Sequence, residues 1–247
     1  MNFLLRRVWI GFGLALALAG CGGASSSNAV PAQAGTARVR YADGAPSLEA
    51  LINGVPQDIG TAYLQVDSHT VVSIFAYGSI TSFGNVTPGV HKLVARDTLG
   101  YAVGPLKTPS LSAGKLYSLI VVGSYPNYRV LAFEEPAATG DAQLSLYEAS
   151  PSSRHADFGT FQASTGSNFK QLGGASYGNV ATVSLGKSVS DIGGYVGPPN
   201  PRATMTPSQV DSFDSHNALP FQNASRLSLF LFDPKSGSGR VFGSLDR

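Results

Sequence analysis

The chain has one cysteine and one tryptophan, and both Cys21 and Trp9 fall within the first 21 of its 247 residues. Beyond Cys21 there is no thiol, so no disulfide framework, CxxC redox pair or cysteine-ligated metal is available. Stability must then come from a hydrophobic core. Charge is also scarce, at 13% of residues, with 17 basic and 15 acidic side chains. Arg6 and Arg7 stand at the N-terminus, and without them the basic count drops to 15 and the two signs balance. Nucleic-acid binding needs clustered Lys and Arg, so nucleic acid is not an expected partner. A long 3.6-residue apolar period is missing after the first twenty residues. In its place stand 29 glycines and 15 prolines among 43% hydrophobic residues. Sparse charge and many turn formers predict many short strands and an all-β fold.

The N-terminus has its own pattern. Met1 to Arg7 carries Arg6 and Arg7 and no acid, Val8 to Leu18 is almost wholly apolar, and Leu18-Ala19-Gly20 places small residues before Cys21. That order of basic, apolar and small residues reads as a secretory signal over residues 1–20. Eleven residues make only ~16 Å of helix, about half a bilayer, which argues against a permanent span. Leu18-Ala19-Gly20-Cys21 also resembles the bacterial lipobox. The resemblance implies diacylglycerol on the Cys21 sulfur, cleavage between Gly20 and Cys21, and a further acyl chain such as palmitate on the freed amine. Several chains hold where one would bind only marginally. Gly22 stands where the enterobacterial inner-membrane retention signal has aspartate. The expected address is therefore the outer membrane of a Gram-negative cell envelope. Residues 22–36, without charge or aromatic, read as a flexible tether reaching ~20 Å.

The remainder repeats itself. ARVRYADGAP (37–46) aligns on AQLSLYEASP (142–151), AYGSI (76–80) on SYGNV (176–180), and KLYSLIVVGSYPNYRV (115–130) on RLSLFLFDPKSGSGRV (226–241). The three matches keep one order, at offsets of 105, 100 and 111. Leu227, Leu229 and Leu231 alternate with Ser228, Phe230 and Phe232, which predicts a strand with apolar material on both faces. Leu116 to Val122 is its equally apolar counterpart, expected to be central, with Ile120 in the first copy's own core. Asn53-Gly54 after Leu51-Ile52 predicts a tight hairpin. The boundary falls near residues 135–140. Two sandwiches are expected, over 37–135 and 142–247, each owning a core and sharing a modest interface.

ARVRYADGAPSLEALINGV, FAYGSITSF and LSAGKLYSLIVVG together resemble the domain-of-unknown-function 4397 family, with Ala113-Gly114-Lys115-Leu116-Tyr117 matching its Ala-Gly-Lys-x-Tyr stretch. Residues 142–247 keep the opening turn in Glu148-Ala149-Ser150-Pro151 but lack the Gly-Lys-x-Tyr pattern at Ser225 to Ser228. The resemblance implies tandem immunoglobulin-like β-sandwiches, secreted or surface-attached, with no established catalytic residues.

Candidates for chemistry are few. Gly174-Ala175-Ser176-Tyr177-Gly178 satisfies G-x-S-x-G, and Asp191, Asp211, Asp214 and His216 follow in the order of an α/β-hydrolase triad. The elbow needs a helix after the serine, whereas NVATVSLGKSV is β-rich, and the repeat sets Ala76 opposite Ser176. Asp211, Asp214 and His216 are metal-ligand types, but their spacing matches no standard zinc or calcium loop. His155 and Asp157 share one side of a strand, which a surface hydrogen bond would explain, and His69 and His91 show no partner pattern. No metal, cofactor or catalysis is expected. The expected function is a non-catalytic envelope lipoprotein, joined to the membrane by its lipid and presenting β-sandwiches for binding or structural support. The partner would be an envelope protein or a glycan. The long 188–221 stretch is the expected contact surface, with Tyr195, Phe213 and Phe221 as anchors. The rival expectation is a surface serine hydrolase using Ser176.

Overall fold

The computed structural model describes residues 35–139, 142–153, 155–162, 167–186, 192–196, 210–213, 226–235 and 241–246. Residues 1–34, where the signal and most of the tether are expected, lie outside them together with Gly20 and Cys21, as do Asp191, Asp214, His216 and Phe221. The chain is all-β, and every regular element among the described residues is a strand. The first half carries β1 (Ala37–Asp43), β2 (Glu49–Ile52), β3 (Val55–Asp58), β4 (Ala62–Val66), β5 (His69–Phe75), β6 (Gly84–Val86), β7 (Lys92–Arg96), β8 (Ala102–Lys107), β9 (Leu116–Val122) and β10 (Arg129–Glu134). The second carries β11 (Ala142–Glu148), β12 (His155–Gln162), β13 (Ser167–Ser176), β14 (Val180–Gly186), β15 (Ile192–Val196), β16 (Val210–Phe213), β17 (Arg226–Leu231) and β18 (Val241–Asp246).

In the first half a sheet ordered β10-β9-β1-β6 stands with a second ordered β5-β4-β7-β8, and β2 and β3 form a separate hairpin. Val39, Tyr41, Leu119 and Val121 of the one meet Leu64, Phe75 and Leu93 of the other in a continuous core. The second half has sheets ordered β14-β11-β17-β18 and β13-β12-β15-β16. Leu144, Leu146, Leu227 and Leu229 of the former meet Ala156, Phe158 and Ala175 of the latter. Each pair of sheets buries its facing side chains between them, which is sandwich packing.

The sequence repeat is visible as a repeat of pairing. β9 runs parallel to β1 as β17 runs parallel to β11, and β6, β10, β14 and β18 flank them antiparallel in matching places. The turns match bond for bond. Gly78 N–H donates to the Asp43 carbonyl and Gly178 N–H to the Glu148 carbonyl, each at 2.8 Å. One detail of the alignment is corrected. Gly44 N–H donates to the Val121 carbonyl and Ala149 N–H to that of Leu231, so β9 matches β17 with Val121 on Leu231. The ungapped match of 115–130 on 226–241 is thus one residue out along this strand. A slip of one exchanges the two faces of a strand; the corrected register puts Leu119 with Leu229 in the sandwich cores and Ile120 with Phe230 on the opposite face.

That opposite face explains why β9 and β17 carry apolar residues on both faces. Ala42, Ile120, Val122 and Phe133 from the first half form a third cluster with Tyr147, Ala149, Phe230 and Phe232 from the second, every one of them buried. Tyr147 stacks on Phe230 with ring centroids 4.5 Å apart, and Phe133 meets Tyr147 edge-on at 5.6 Å. Ile120 therefore belongs to the surface shared by the halves, not to the first half's own core. Tyr77, from the first repeated turn, packs edge-on against Phe242 at 5.1 Å and donates to the Asp233 carbonyl at 2.7 Å. Tyr177, from the second, lies under the Arg129 guanidinium at 5.1 Å. Equivalent turns thus reach across in opposite directions, in the manner of a two-fold interface.

A buried charge node sits within the same contact. Arg40 is 1% exposed, between the rings of Phe83 at 4.7 Å and Phe230 at 4.9 Å. Its guanidinium donates to Glu135 Oε1 at 3.0 Å and to Ser228 Oγ at 3.0 Å. The other Glu135 oxygen receives Arg226 at 3.0 Å and the Tyr147 hydroxyl. Burial first, and the Glu135 carboxylate second, push the Tyr147 phenol well above its ordinary range. Glu135, at the expected boundary, joins both halves. A contact built of stacked aromatics and a buried ion pair is more than the modest interface expected of linked domains.

Candidate functional site

Parallel pairing of β1 and β9 decides what gathers at one end of the first half. The segments that leave the two strands at their C-terminal ends emerge side by side. From β1 the chain turns at Asp43, whose Oδ1 accepts the Ala45 N–H at 3.0 Å. The carboxyl is buried, and desolvation pushes it up to about 7, outweighing the opposing pull of that hydrogen bond and of Lys235. β2 and β3 follow, joined by Asn53 and Gly54 at φ +52° and +81°, the left-handed pair a two-residue hairpin needs. From β9 the chain enters the 123–128 segment and brings Tyr125, Pro126 and Tyr128 to the same end. Tyr128 locks the two segments together: its hydroxyl accepts the Glu49 N–H at 2.8 Å and donates to the Ser47 carbonyl at 3.0 Å. Burial pushes its phenol up to about 12.

The third wall is β8, the outer strand of its sheet. Its pairing with β7 runs Leu93 with Leu106 and then Ala95 with Val103, leaving Gly104 and Pro105 as a bulge opposite Val94. Between these walls lies an open groove of about 580 Å³, lined by Glu49, Leu51, Tyr101, Pro105, Tyr125 and Tyr128 among others. Leu51, on the β2–β3 hairpin, is 56% exposed. Among the described residues, the hydroxyls of Tyr101 and Tyr125 meet no protein partner, and the Glu49 carboxylate receives only Ser47 Oγ, at 2.7 Å on Oε1. Glu49 is the one lining residue with a formal charge at neutral pH.

The residues singled out from sequence are placed elsewhere. Tyr195 lies on β15 opposite Asp157 on one side and Val210 on the other, and Phe213 on β16 lies opposite Ile192. Their strands are adjacent, so part of the 188–221 stretch, the expected contact surface, is sheet. Asp211 is on the same strand, opposite Gly194. Ser176 ends β13 and leads through a turn directly into β14, with its carbonyl accepting the Asn179 N–H at 2.9 Å. A strand follows the serine, as the composition of 179–189 indicates, and the turn copies the one at Ala76. His155 Nε2 does bond Asp157 Oδ1, at 2.9 Å, but Asp157 is 1% exposed, so this is a buried carboxylate and not a surface pair. Gln171 also donates to that oxygen at 2.7 Å, while Oδ2 has no partner among the described residues. Gly174 leaves the room for the pair, since a Cβ there would fall 2.4 Å from Asp157 Oδ1. His91 has the partners its sequence context did not show: Nδ1 meets Asp67 Oδ2 at 2.6 Å and Nε2 meets the Thr87 carbonyl at 2.8 Å. The Lys92 N–H and then the His91 ring hold the Asp67 carboxyl below its ordinary range.

The groove was missed because its lining comes from three separate segments, and its aromatics from two of them. The one local signal was Tyr125-Pro126-Asn127-Tyr128, a turn richer in rings than a plain hairpin requires. Comparison with known proteins adds no assignment: no family model matches the chain, and no curated protein matches it.

Proposed function

We propose that this protein is a non-catalytic cell-envelope lipoprotein that holds a pair of immunoglobulin-like β-sandwiches, over 37–135 and 142–247, away from a membrane for binding. In this reading residues 1–20 are removed, Cys21 carries the lipid, residues 22–36 are the tether, and the outer membrane is the destination. The resemblance to the domain-of-unknown-function 4397 family belongs to the same reading and rests on the motifs quoted above. The observation that carries the reading is the position of the groove. The tether enters at the start of β1, and the groove opens beyond the far ends of β1 and β9. Six residue steps of strand separate the two by roughly 20 Å, so a chain anchored at Cys21 would present the groove to whatever lies beyond the membrane. Cys21→Ser removes the thiolate that lipid transfer needs. Metabolic labelling with a fatty-acid analogue should mark the wild-type chain and leave the variant unmarked, with residues 1–20 still attached. Label retained by Cys21→Ser would end the lipoprotein reading.

A surface serine hydrolase using Ser176 is the second reading. It is favoured by one observation: Ser176 is the register partner of His155, which is bonded to Asp157. Against it, Nε2 of that histidine is already engaged by Asp157, and the turn after Ser176 returns to a strand. A fluorophosphonate probe decides the matter, since labelling abolished by Ser176→Ala would favour the hydrolase.

A further inference from the structure

We propose that the groove between β2, β8 and the 123–128 segment binds a neutral oligosaccharide. The inference rests on reading this end of the first half as a contact surface and names what is contacted. Its volume of about 580 Å³ is that of a small-molecule site. Tyr101, Tyr125 and Tyr128, with Pro105 and Pro126, line it with flat carbon surfaces. Tyrosine combines such a surface with a polar tip, which suits a sugar ring, apolar on its C–H faces and polar around its rim. The Tyr101 and Tyr125 hydroxyls, free of protein partners, can donate and accept, and Glu49 Oε2 can accept from a sugar hydroxyl. Tyr128, bonded both ways, is the fixed floor.

Two competing ligand classes fit less well. Phosphorylated, sulfated or uronic ligands would meet Glu49 and no lining Lys or Arg, a like-charge contact with nothing to offset it. An extended peptide would bind by adding a strand to the outer edge of β8. That edge is broken by the Gly104-Pro105 bulge, and Pro105 has no N–H to offer, two devices that block strand addition. What remains is an uncharged ligand recognised by ring faces and hydroxyls.

The test uses the full chain purified in mild detergent, with calorimetric titration by maltotriose, cellotriose and the β-1,4 trimer of N-acetylglucosamine. Each is taken to about 10 mM, enough to saturate a millimolar site. At least one should bind saturably. Tyr125→Ala should weaken that binding about tenfold, a loss of one well-packed ring face. Leu51→Ala, at an exposed position, should weaken it as well by removing apolar surface from the wall. Thermal unfolding of both variants checks the fold. Saturation by none of the three sugars overturns the proposal, as does binding that both variants leave unchanged. Equal binding of oligogalacturonate overturns the charge argument. The outcome is separable from the anchoring test, because a chain that takes up fatty-acid label yet binds no sugar refutes this inference alone.

Discussion

Glu135 should be the most consequential charged residue for stability. Glu135→Ala removes the carboxylate that Arg40 and Arg226 share, one guanidinium on each oxygen. Arg226, 13% exposed, can turn toward water, but Arg40, at 1%, has nowhere to go. It would remain charged between aromatic rings, beside the neutral hydroxyls of Ser118, Ser228 and Tyr147 and without the carboxylate that balances it. Breaking a buried pair from one side costs about 3–5 kcal/mol. Domain stabilities are ~5–15 kcal/mol, so the loss should lower the unfolding midpoint of a chain this size by roughly 6–20 °C. Salt should scarcely change the difference, since screening acts on exposed charge.

The assay is urea unfolding of the full chain followed by hydrogen exchange read peptide by peptide. Because Glu135 joins the halves, Glu135→Ala should raise exchange in β1 and β9 and also in β11 and β17. The double variant Arg40→Met with Glu135→Leu should recover much of the loss, because it removes both buried charges and leaves apolar volume against Tyr147 and Phe230. A loss below about 1 kcal/mol would refute the account of Arg40 as stranded. Exchange raised in the first half alone would refute the account of Glu135 as the joint between halves.

Stability should also depend on Asp43. Its carboxyl is lifted to about 7 in the folded chain from 3.8, so the folded state holds the proton more tightly. The stabilisation is fully present below about pH 4 and is lost as pH rises through about 7, with a span of about 4 kcal/mol. Asp43→Asn, which keeps an acceptor for Ala45, should remove this slope in urea titrations at pH 4, 5.5 and 7.5. A wild-type slope of the opposite sign, or one the variant retains, would refute it. The repeated turns offer a matched pair of substitutions. Gly178→Ala meets only the left-handed backbone at φ +80°, with open space beyond, and should cost about 1–2 kcal/mol. Gly78→Ala adds a Cβ 2.2 Å from the Phe242 ring and should cost a further 1–3 kcal/mol or so. Equal losses by thermal unfolding would mean that Phe242 does not pack on that turn.

How much of this was legible in the chain follows the range of the interactions involved. Strand identity is local, and it could be read: the alternation of Leu227, Leu229 and Leu231 with Phe230 and Phe232, the Asn53-Gly54 hairpin and the central place of β9 all came through. The repeat was legible because equal turns use equal residues, Tyr77-Gly78 and Tyr177-Gly178, with an acid before each opening turn. Its register along β17 was not, because Leu-Ser-Leu-Phe-Leu-Phe is apolar on both faces, and a one-residue slip changes which face is which without changing the pattern. The same two-sidedness hid the third cluster. A strand apolar on both faces says that both are covered, but not by what, and here one cover is the other half of the chain. Arg40 and Glu135 lie 95 residues apart and their pairing has no local signature; in sequence, Arg40 is an ordinary basic residue in a strand and Glu135 an acid at the domain boundary. The groove escaped for the same reason. Parallel pairing of β1 with β9 brings Glu49 and Tyr128 together across 79 residues, and only that topology turns scattered tyrosines into one wall.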